Sequence, residues 1–322
     1  MKADTGHGQE SAPVPVATIT VTHDPDLAIL RRQQQQLGAA ALRVVVDNAS
    51  AAATQAALRE LAAGAGATLH ALPANAGLAA AINVGVALVR ERQPQAQAVL
   101  LLDQDTEPGP GGLQGLWQAY ATLGGRAGAA LALNPALVDA DTGVDHGFHA
   151  IRGLRWARIH RLDGAGGPVE CAGLNCSGTL VDLATFERVG GMDESFFLDM
   201  LDADWSFRAA ARGVRLLGVP QVHFLHRMGQ RSLRAWLFGW RVIPYRSPWR
   251  NRLVVRNTLR LLGRRHAPAV WKLWALPKLL LTFAAHALFD RDRGAQLAAM
   301  LGGVGDAILG RPVQPPRRGP AD

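Results

Sequence analysis

The chain has 322 residues, of which 48% are hydrophobic and 19% charged, so it can form a sizeable core and is not wholly disordered. Its net charge at pH 7 is +8, with 16 Lys and Arg against 22 Asp and Glu in residues 1–220, and 18 against 4 in residues 221–322. The two cysteines, Cys171 and Cys176, are too few for a disulfide framework and lack the histidine pairs of a zinc site, which predicts a reducing compartment.

Strand and helix patterns alternate at short intervals through the first third of the chain. Apolar, β-branched runs predict strands at 16–22, 42–46, 68–72 and 98–102, with helices at about 26–37, 51–63 and 78–92. This alternation is typical of a parallel, doubly wound sheet, in which ligands bind beyond the carboxyl ends of the strands. Those ends carry Thr22, Asp47 and Asp103, so polar side chains fall where a ligand is expected.

The later elements are shorter until the basic part of the chain begins after His226. We predict strands at 128–133, 174–181 and 214–219, and helices at 183–189, 200–212, 232–243, 250–264 and 267–289. The resulting division is a disordered tail at 1–14, an α/β domain at 15–230, a basic, tryptophan-rich helical extension at 231–310 and a disordered tail at 311–322. The polar first residues hold no apolar run, so no signal peptide is expected.

A first group of acids, Asp103 and Asp105 with Gln104 between them, directly follows the strand at 98–102. Two carboxylates at positions i and i+2 of a turn can both reach one divalent cation, and oxygen ligands suit Mg²⁺ or Mn²⁺. A solvated loop that carries two aspartates is the alternative. The position at the end of a strand favours a metal site.

A second group of acids lies at 194–208, where Asp199, Asp202 and Asp204 precede Arg208. On a helix, Asp202 would occupy the start, where carboxylates are favoured, and Asp204 would face Arg208 one turn later. A capped helix with a surface ion pair is the alternative. Two phenylalanines beside these acids favour a fixed catalytic base instead, because a solvated cap needs no apolar packing.

Two histidines, His223 and His226, follow the strand predicted at 214–219. Histidines in such a position are more often structural than ligating, although a neutral imidazole can complete a metal site begun by Asp105. Of the two, His226 is the better candidate because a family motif begins at it.

Short motifs, taken in chain order, carry a family resemblance. They are V-T-H-D-P at 21–25, D-N-A-S at 47–50, N-A-G-L-A-A-A-I-N-V-G at 75–85, L-L-D-Q-D at 101–105, N-C-S-G at 175–178, G-G-M-D-E-S-F-F-L-D-M-L-D-A-D-W-S-F-R at 190–208 and H-R-M-G from 226. In this order and spacing they resemble the glycosyltransferase family 2 enzymes of the GT-A fold, most closely the bacterial rhamnosyltransferase group. The resemblance covers roughly residues 16–230 and continues weakly through Arg256-Asn257 and 303–311.

The resemblance implies a fold and a set of site roles. The fold is α/β, a GT-A (Rossmann-like), mostly parallel mixed sheet flanked by helices, with a C-terminal helical extension. The residues implied to bind the nucleotide-sugar are Thr22, Asp47, Asn75, Gly77, Asp103 and Gln104, those of the sugar or acceptor pocket are Ser177, Gly178 and Asp199, and those that bind Mg²⁺ or Mn²⁺ are Asp105 and His226. The implied catalytic base is Asp202, which an ordinary pKa near 3.9 would leave ionised at neutral pH.

The implied reaction transfers a sugar from a dTDP- or UDP-sugar, with dTDP-rhamnose favoured, to a glycan or lipid-linked acceptor in cell-surface polysaccharide synthesis. One base without a second nucleophilic carboxylate predicts a single displacement that inverts the anomeric centre. A nucleotidyltransferase with a related metal site is one alternative, disfavoured because residues 22–30 contain no lysine or arginine. A non-catalytic membrane-associated adaptor is another, disfavoured by the intact acids.

The basic part of the chain is rich in tryptophan, at positions 236, 240, 249, 271 and 274. We predict that Trp236 and Trp240, four residues apart, share a helix face. Tryptophan with arginine and leucine suits an anionic membrane surface, which predicts a cytoplasmic protein bound peripherally to the inner face of the cell membrane. Packing on the catalytic domain and a homo-oligomer interface are the alternatives. No nucleic-acid motif is present, so no nucleic-acid partner is expected.

Overall fold

The computed structural model describes residues 14–161, 166–227, 232–236, 240–244, 246–313 and 315. Within these residues the strands are β1 (Val14–Thr22), β2 (Ala40–Asp47), β3 (Thr68–Ala71), β4 (Ala98–Asp103), β5 (Thr106–Pro108), β6 (Leu131–Asp139), β7 (Phe148–Arg152), β8 (Arg155–Ile159), β9 (Val169–Glu170), β10 (Leu180–Asp182), β11 (Arg215–His226), β12 (Ser232–Trp236) and β13 (Trp240–Pro244). The α-helices are α1 (Leu27–Gln36), α2 (Ala52–Ala65), α3 (Leu78–Arg92), α4 (Gly112–Thr122), α5 (Leu183–Val189), α6 (Leu201–Ala211), α7 (Pro248–Leu262), α8 (Ala269–Phe289) and α9 (Arg293–Leu309).

One large sheet organises the fold, in the order β3-β2-β1-β4-β10-β6-β11-β5, with β9 paired to β11. The strands β1 to β4 run parallel to one another, as do β6 and β11, whereas β10, β5 and β9 run antiparallel to their neighbours. The β7–β8 and β12–β13 pairs form separate hairpins. The predicted α/β class, with a mostly parallel mixed sheet flanked by helices, is therefore confirmed.

Side chains alternate between the two faces of this sheet, and helices cover each face. Along β4, Val99 and Leu101 belong to one buried cluster, whereas Leu100 and Leu102 belong to the other. Side chains of α3, α5 and α6 complete the first cluster, and side chains of α4 complete the second. Both faces are covered by helices, so a ligand can reach the sheet only at its edges. The polar residues at the ends of β1, β2 and β4 lie at the carboxyl edge.

Two glycines of the motif at 75–85 allow α3 to pack closely. A Cβ on Gly85 would come within 2.5 Å of Ile19 Cγ2 on β1. Gly77, with a φ of +89°, lies so close to Phe197 that a Cβ there would be 2.6 Å from the ring. These contacts fix the turn before α3 at the carboxyl edge of the sheet.

The predicted elements up to residue 103 each match an observed one within a few residues, but several later predictions differ from the structure. The strand predicted at 174–181 begins only at Leu180, because the residues before it form a turn in which Gly178 has a φ of +83°. The strand predicted at 214–219 continues to His226, where it also pairs with β5. The helix α4 and the β7–β8 hairpin were not predicted at all.

The helix predicted at 232–243 is wrong, because this segment is the β12–β13 hairpin. Trp236 and Trp240 are register partners across that hairpin, so they do not share a helix face. The spacing of four residues fits both arrangements, since two strands joined by a short turn also bring such residues together.

Three helices, α7, α8 and α9, end the described part of the chain, and the predicted helical extension accounts for the first two of them. A buried hydrogen-bond network joins them, because Asn251 on α7 contacts His286 on α8 and Gln296 on α9. None of the helices in the described residues is both long and apolar enough to cross a bilayer. Most residues of the tails predicted at 1–14 and 311–322 lie outside the described part of the chain. At the inner ends the prediction of disorder is wrong, because β1 begins at Val14 and the Arg311 carbonyl accepts hydrogen bonds from Arg256.

Candidate functional site

Sheet pairing brings two neighbouring acids together with a histidine that lies far away in the sequence. Asp103 ends β4 and Asp105 follows in the turn to β5. Antiparallel pairing of β5 with β11 sets Thr106 opposite His226, more than a hundred residues later in the chain. Asp103, Asp105 and His226 each offer one ligand atom, and these atoms lie within 4.8 Å of one another. Two carboxylates and an imidazole so arranged fit a divalent cation.

A chain of hydrogen bonds beneath this cluster orients it. The Asp103 backbone N–H donates to Ser177 Oγ at 3.1 Å, and Ser177 Oγ contacts Thr106 Oγ1 at 2.5 Å. Thr106 Oγ1 in turn contacts His226 Nδ1 at 2.7 Å. Ser177 and Thr106 are buried. Ser177 and Thr106 thus hold the candidate metal ligands in place, and Thr106 is a member of this cluster that sequence reasoning missed.

Gly178, predicted with Ser177 for the sugar or acceptor pocket, has a role in packing. Its φ is +83°, and a Cβ there would lie 2.7 Å from the ring of Pro135. Its N–H donates to the Leu101 carbonyl on β4, while Asn134 donates to the carbonyls of Asn175 and Ser177. These contacts hold the 175–179 loop against the end of the sheet.

Burial and neighbouring acids change the protonation of Asp103. Burial raises the pKa of Asp103 to about 6, with further increases from the charges of Asp105 and Asp202, while His226 and Arg250 act in the opposite direction. Asp202 is therefore close enough to Asp103 for the two charges to repel each other. A cation at this edge would relieve that repulsion.

Asp202 lies in the first turn of α6, where it accepts a hydrogen bond from the Ala203 N–H at 2.8 Å. The pKa of Asp202 is raised to about 6, mainly by burial and also by the negative charge of Asp199, while backbone hydrogen bonds oppose both effects. The expectation of an ordinary pKa near 3.9 is therefore wrong, because the surrounding protein removes water from the carboxylate. A carboxylate with a pKa near 6 is still mostly ionised at neutral pH and is a stronger base.

The loop before Asp202 has an unusual backbone that α7 stabilises. Phe197, Asp199 and Met200 all have positive φ values, a conformation that costs about 1–3 kcal/mol for each non-glycine residue. Asn257 on α7 is fully buried and donates from Nδ2 to the carbonyls of Phe196, Leu198 and Asp199 at 2.7, 2.7 and 3.1 Å. The Arg256-Asn257 pair of the family motif therefore holds the segment that carries Asp199 and Asp202.

Asp199 lies at the same edge and is paired with an arginine that sequence reasoning missed. Arg250, in the first turn of α7, contacts the two carboxylate oxygens of Asp199 at 3.1 and 3.2 Å. Asp103 and Asp105 also attract this guanidinium. The sequence holds one signal for this pair. No acid lies in the long basic segment around Arg250, so an acidic partner has to come from elsewhere in the chain.

The predicted nucleotide-binding residues lie at the ends of β1 and β2 and at the turn before α3. Thr22 Oγ1 donates to Asp47 at 3.2 Å, and Asp47 also accepts from the backbone and hydroxyl of Ser50. Asn75 accepts from Asn48 Nδ2 at 2.9 Å and from the Gly77 N–H at 3.1 Å. The hydrogen bonds of Thr22 and Asn75 thus order the loops at this edge.

Gln104 connects this region to the metal-ligating turn. Its Oε1 accepts from the His23 backbone N–H at 2.7 Å, and His23 Nδ1 contacts the Asn48 carbonyl at 2.9 Å. The loop after β1 and the turn after β4 therefore face each other, as the parallel arrangement predicts. His23 and Asn48 extend the set of residues that sequence reasoning selected, and both lie within its motifs.

Asp204 and His223 lie outside this group. Asp204 is buried and pairs with Arg208 at 2.8 Å and with His266 at 2.8 Å, so it anchors α6 to the C-terminal region. The predicted Asp204–Arg208 contact is present, although it is a buried pair rather than a surface pair. His223 contributes its backbone carbonyl to the Gly109 N–H and is not part of the metal-ligating cluster.

Residues 43–126 match the family model described as glycosyl transferase family 2. The chain is 32% identical to a dTDP-rhamnosyl transferase RfbF of Shigella flexneri, over 42% of this chain and 44% of that protein. It is 28% identical to an N-acetylglucosaminyl-diphospho-decaprenol L-rhamnosyltransferase of Mycobacterium tuberculosis, over 60% of this chain and 76% of that protein. The resemblance to family 2 glycosyltransferases of the bacterial rhamnosyltransferase group is thus confirmed, although the chain spans less than half of the Shigella relative.

Solved glycosyltransferase structures share the fold. GalNAc-T7, crystallised with UDP, GalNAc and Mn²⁺, superposes with a TM-score of 0.56 at 14% identity, covering 92% of this chain and 55% of that one. Residues 1–349 of TarS from S. aureus superpose with a TM-score of 0.54 at 13% identity, covering 91% and 80%. At these identities the likeness shows the GT-A fold. Together with the family match, it supports the prediction that the chain is a glycosyltransferase.

Proposed function

We propose that the protein transfers a sugar, rhamnose by analogy with its relatives, from a nucleoside diphosphate to a glycan or lipid-linked acceptor. One observation carries the proposal: Asp103, Asp105 and His226 meet at the carboxyl edge of the sheet, close to the half-buried carboxylate of Asp202. This combines a site for a cation and a diphosphate with a base for a hydroxyl, the two requirements of sugar transfer. Cell-surface polysaccharide synthesis is the corresponding process.

The metal ion proposed at this edge is Mg²⁺ or Mn²⁺, held by Asp105 and His226 with Asp103 beside them. The two carboxylates and the imidazole fit such an ion, and their number leaves coordination positions for phosphate oxygens. When bound, the ion would neutralise negative charge on the leaving diphosphate. The hydrogen bond between His226 Nδ1 and Thr106 Oγ1 keeps the imidazole ring in a fixed orientation, as outer partners of metal ligands do.

The nucleoside is assigned to the adjoining loops after β1, β2 and β4. Thr22, Asp47, Asn75 and Gln104 supply hydrogen-bonding groups there, and their mutual contacts keep those groups in place. Gly77 would act differently from the expectation, by allowing the turn to pack against Phe197 rather than by touching the nucleotide.

Asp202 is assigned as the base that takes a proton from the acceptor hydroxyl. Burial makes its carboxylate more basic, and the helix start and the 196–200 loop fix its position. Asp199, already engaged by Arg250, is not free to act as a second nucleophile. Its position beside Asp202 supports a place in the acceptor pocket, where Arg250 adds a cation.

The two alternative functions are weaker. A nucleotidyltransferase needs basic groups that grip phosphate after β1, and the residues there remain free of lysine and arginine. A non-catalytic adaptor gives no reason for Asp103 and Asp202 to stay half-buried near each other, which is unfavourable without a bound cation or substrate.

Contact with an anionic membrane is proposed for the exposed side of α8. Large apolar side chains point to solvent along this helix, namely Leu273, Trp274, Leu276, Leu280, Leu288 and Phe289. The Trp274 indole N–H donates to the Leu154 carbonyl at the exposed tip of the β7–β8 hairpin, which fixes hairpin and helix together. Apolar side chains in a strongly basic segment suit the surface of a bilayer rather than its interior.

Nucleotide and metal should stabilise the protein together. In a thermal melt, UDP or dTDP with MnCl₂ at concentrations far above their dissociation constants should raise the melting temperature by a few degrees, because ligand binding favours the native state. Asp105→Asn should abolish this increase. Asp141→Asn removes an exposed acid elsewhere and should keep it. If the melting temperature of Asp105→Asn rises as much as that of the wild type, Asp105 is not a metal ligand.

The stereochemistry of the product tests the single displacement. One base and no free nucleophilic carboxylate predict that the new glycosidic bond has the opposite anomeric configuration to the donor. The one-bond carbon–hydrogen coupling at the anomeric carbon, read by NMR, reports this configuration. Retention of configuration would overturn the assignment of Asp202 as the sole reacting carboxylate.

The pH profile should report the protonation of Asp202. The base works only when deprotonated, so kcat/KM should fall about tenfold per pH unit below about pH 6. Asp199→Asn removes the charge that raises the pKa of Asp202 and should move this limb to lower pH. The charges that act most on the pKa of Asp103 are instead those of His226, Asp105, Asp202 and Arg250. A limb that stays in place in Asp199→Asn would therefore assign it to another group.

Membrane binding should depend on the exposed side of α8. Substituting both Leu276 and Leu280 with serine should reduce cosedimentation with vesicles of phosphatidylglycerol by about tenfold, since each leucine contributes apolar area at the bilayer surface. Leu301→Ser removes an equally exposed leucine from α9 and serves as the control. Equal losses in both proteins would show that α8 is not the contact surface.

A further inference from the structure

Four cationic side chains form a group beside the carboxylate edge, here called the cation cluster: Arg158, Arg246, Arg250 and Lys278. They come from β8, from the residues around the start of α7 and from α8. Gln296 fixes the Arg246 backbone by donating to its carbonyl at 2.9 Å, and Arg158 Nη1 donates to the His146 carbonyl at 3.0 Å. The contact between α8 and the β7–β8 hairpin holds Arg158 and Lys278 near each other.

Two members of the cluster have no anionic partner of their own. Within the described residues, the side chains of Arg246 and Lys278 form no hydrogen bond or ion pair with an acid. The acid whose charge acts on Arg246 is Asp199. Arg250 already contacts both carboxylate oxygens of Asp199. The guanidinium of Arg246 and the ammonium of Lys278 are therefore available to bind an anion.

Positive charges also act on Lys278 and Arg246 from their neighbours. Surrounding protein lowers the pKa of Lys278, and the positive charges of Arg158 and Arg246 lower it further, although the residue reaches the surface. Burial lowers the pKa of Arg246, which Asp199 only partly opposes. His149 adds no charge, because burial, followed by Arg158 and Lys278, lowers its pKa to about 4. Arg158, Arg250 and Lys278 are exposed and Arg246 is half-buried, so an anion can reach the group. A bound anion would offset the mutual repulsion of these positive charges.

We infer that Arg246 and Lys278, flanked by Arg250 and Arg158, bind a phosphate or diphosphate group of the acceptor. This inference rests on the proposed sugar transfer, and it separates two anion sites. The donor diphosphate belongs with Asp103, Asp105 and His226, none of which acts on Arg246 or Lys278. Arginine and lysine are the usual ligands of phosphate oxygens.

The surroundings of Lys278 favour an amphiphilic phosphate ester over a free ion. Leu276 and Leu280, two residues before and after it on α8, are both exposed. A phosphate group bound to the cluster could therefore continue into an apolar chain that lies along the helix. Arg250 connects the cluster to Asp199, beside the proposed base, which is where the saccharide of such an acceptor would have to reach.

The test measures binding without metal or donor, so its outcome does not depend on sugar transfer. Decyl diphosphate is titrated into the full chain by calorimetry in EDTA, with inorganic pyrophosphate as a competitor. We expect binding that pyrophosphate displaces, weakened about tenfold or more in Arg246→Gln and again in Lys278→Gln. Arg212→Gln, an exposed arginine at the end of α6, should bind as the wild type does. Asp105→Asn should also bind normally.

Several results would overturn the inference. They are an absence of decyl diphosphate binding, normal binding in both Arg246→Gln and Lys278→Gln, and a loss of binding in Asp105→Asn, which would assign the anion to the donor site. Binding to phosphatidylglycerol vesicles distinguishes a site for a substrate phosphate from a site for a lipid headgroup. The vesicle affinity of Arg246→Gln and of Lys278→Gln should stay within twofold of the wild-type affinity. Vesicle binding that is lost while decyl diphosphate binding persists would assign the cluster to the membrane surface.

Discussion

The site depends on the cost of holding carboxylates close together in a partly dehydrated cleft. Asp103 and Asp202 are both less acidic than in water, first because they are buried and then because of neighbouring negative charges. His226 and Arg250 offset only part of this repulsion at Asp103. The cleft is therefore suited to a divalent cation on one side, while the carboxylate on the other side gains the basicity that proton transfer requires.

The rest of the structure maintains this arrangement. The β5–β11 pairing brings a histidine to two aspartates from another part of the sequence, and Ser177 and Thr106 support them from below. On the opposite side, Asn257 stabilises the strained loop that leads to Asp202. The C-terminal helices therefore stabilise the loop before Asp202, whatever contact their outer surface makes with a membrane.

Much of this could be predicted from the sequence, and the omissions have a common cause. Strand ends and chain-order motifs identified the acids and His226, because local patterns and a parallel sheet determine where they fall. Arg250, Thr106 and Asn257 were not assigned roles in the site, since their partners lie far away in the chain. The ordinary pKa expected for Asp202 was wrong for the same reason: its burial depends on the tertiary structure. The β12–β13 hairpin was mistaken for a helix because its residue spacing fits both.

Substitution of Asp202 tests the account most directly. Asp202→Asn keeps the shape of the side chain and removes its ability to accept a proton, so turnover of dTDP-rhamnose, or of whichever nucleotide-sugar the wild type uses, is the quantity to measure. The account predicts that transfer falls by at least about a hundredfold, while stabilisation by nucleotide and Mn²⁺ stays as in the wild type. Transfer at a near-normal rate in Asp202→Asn would contradict it.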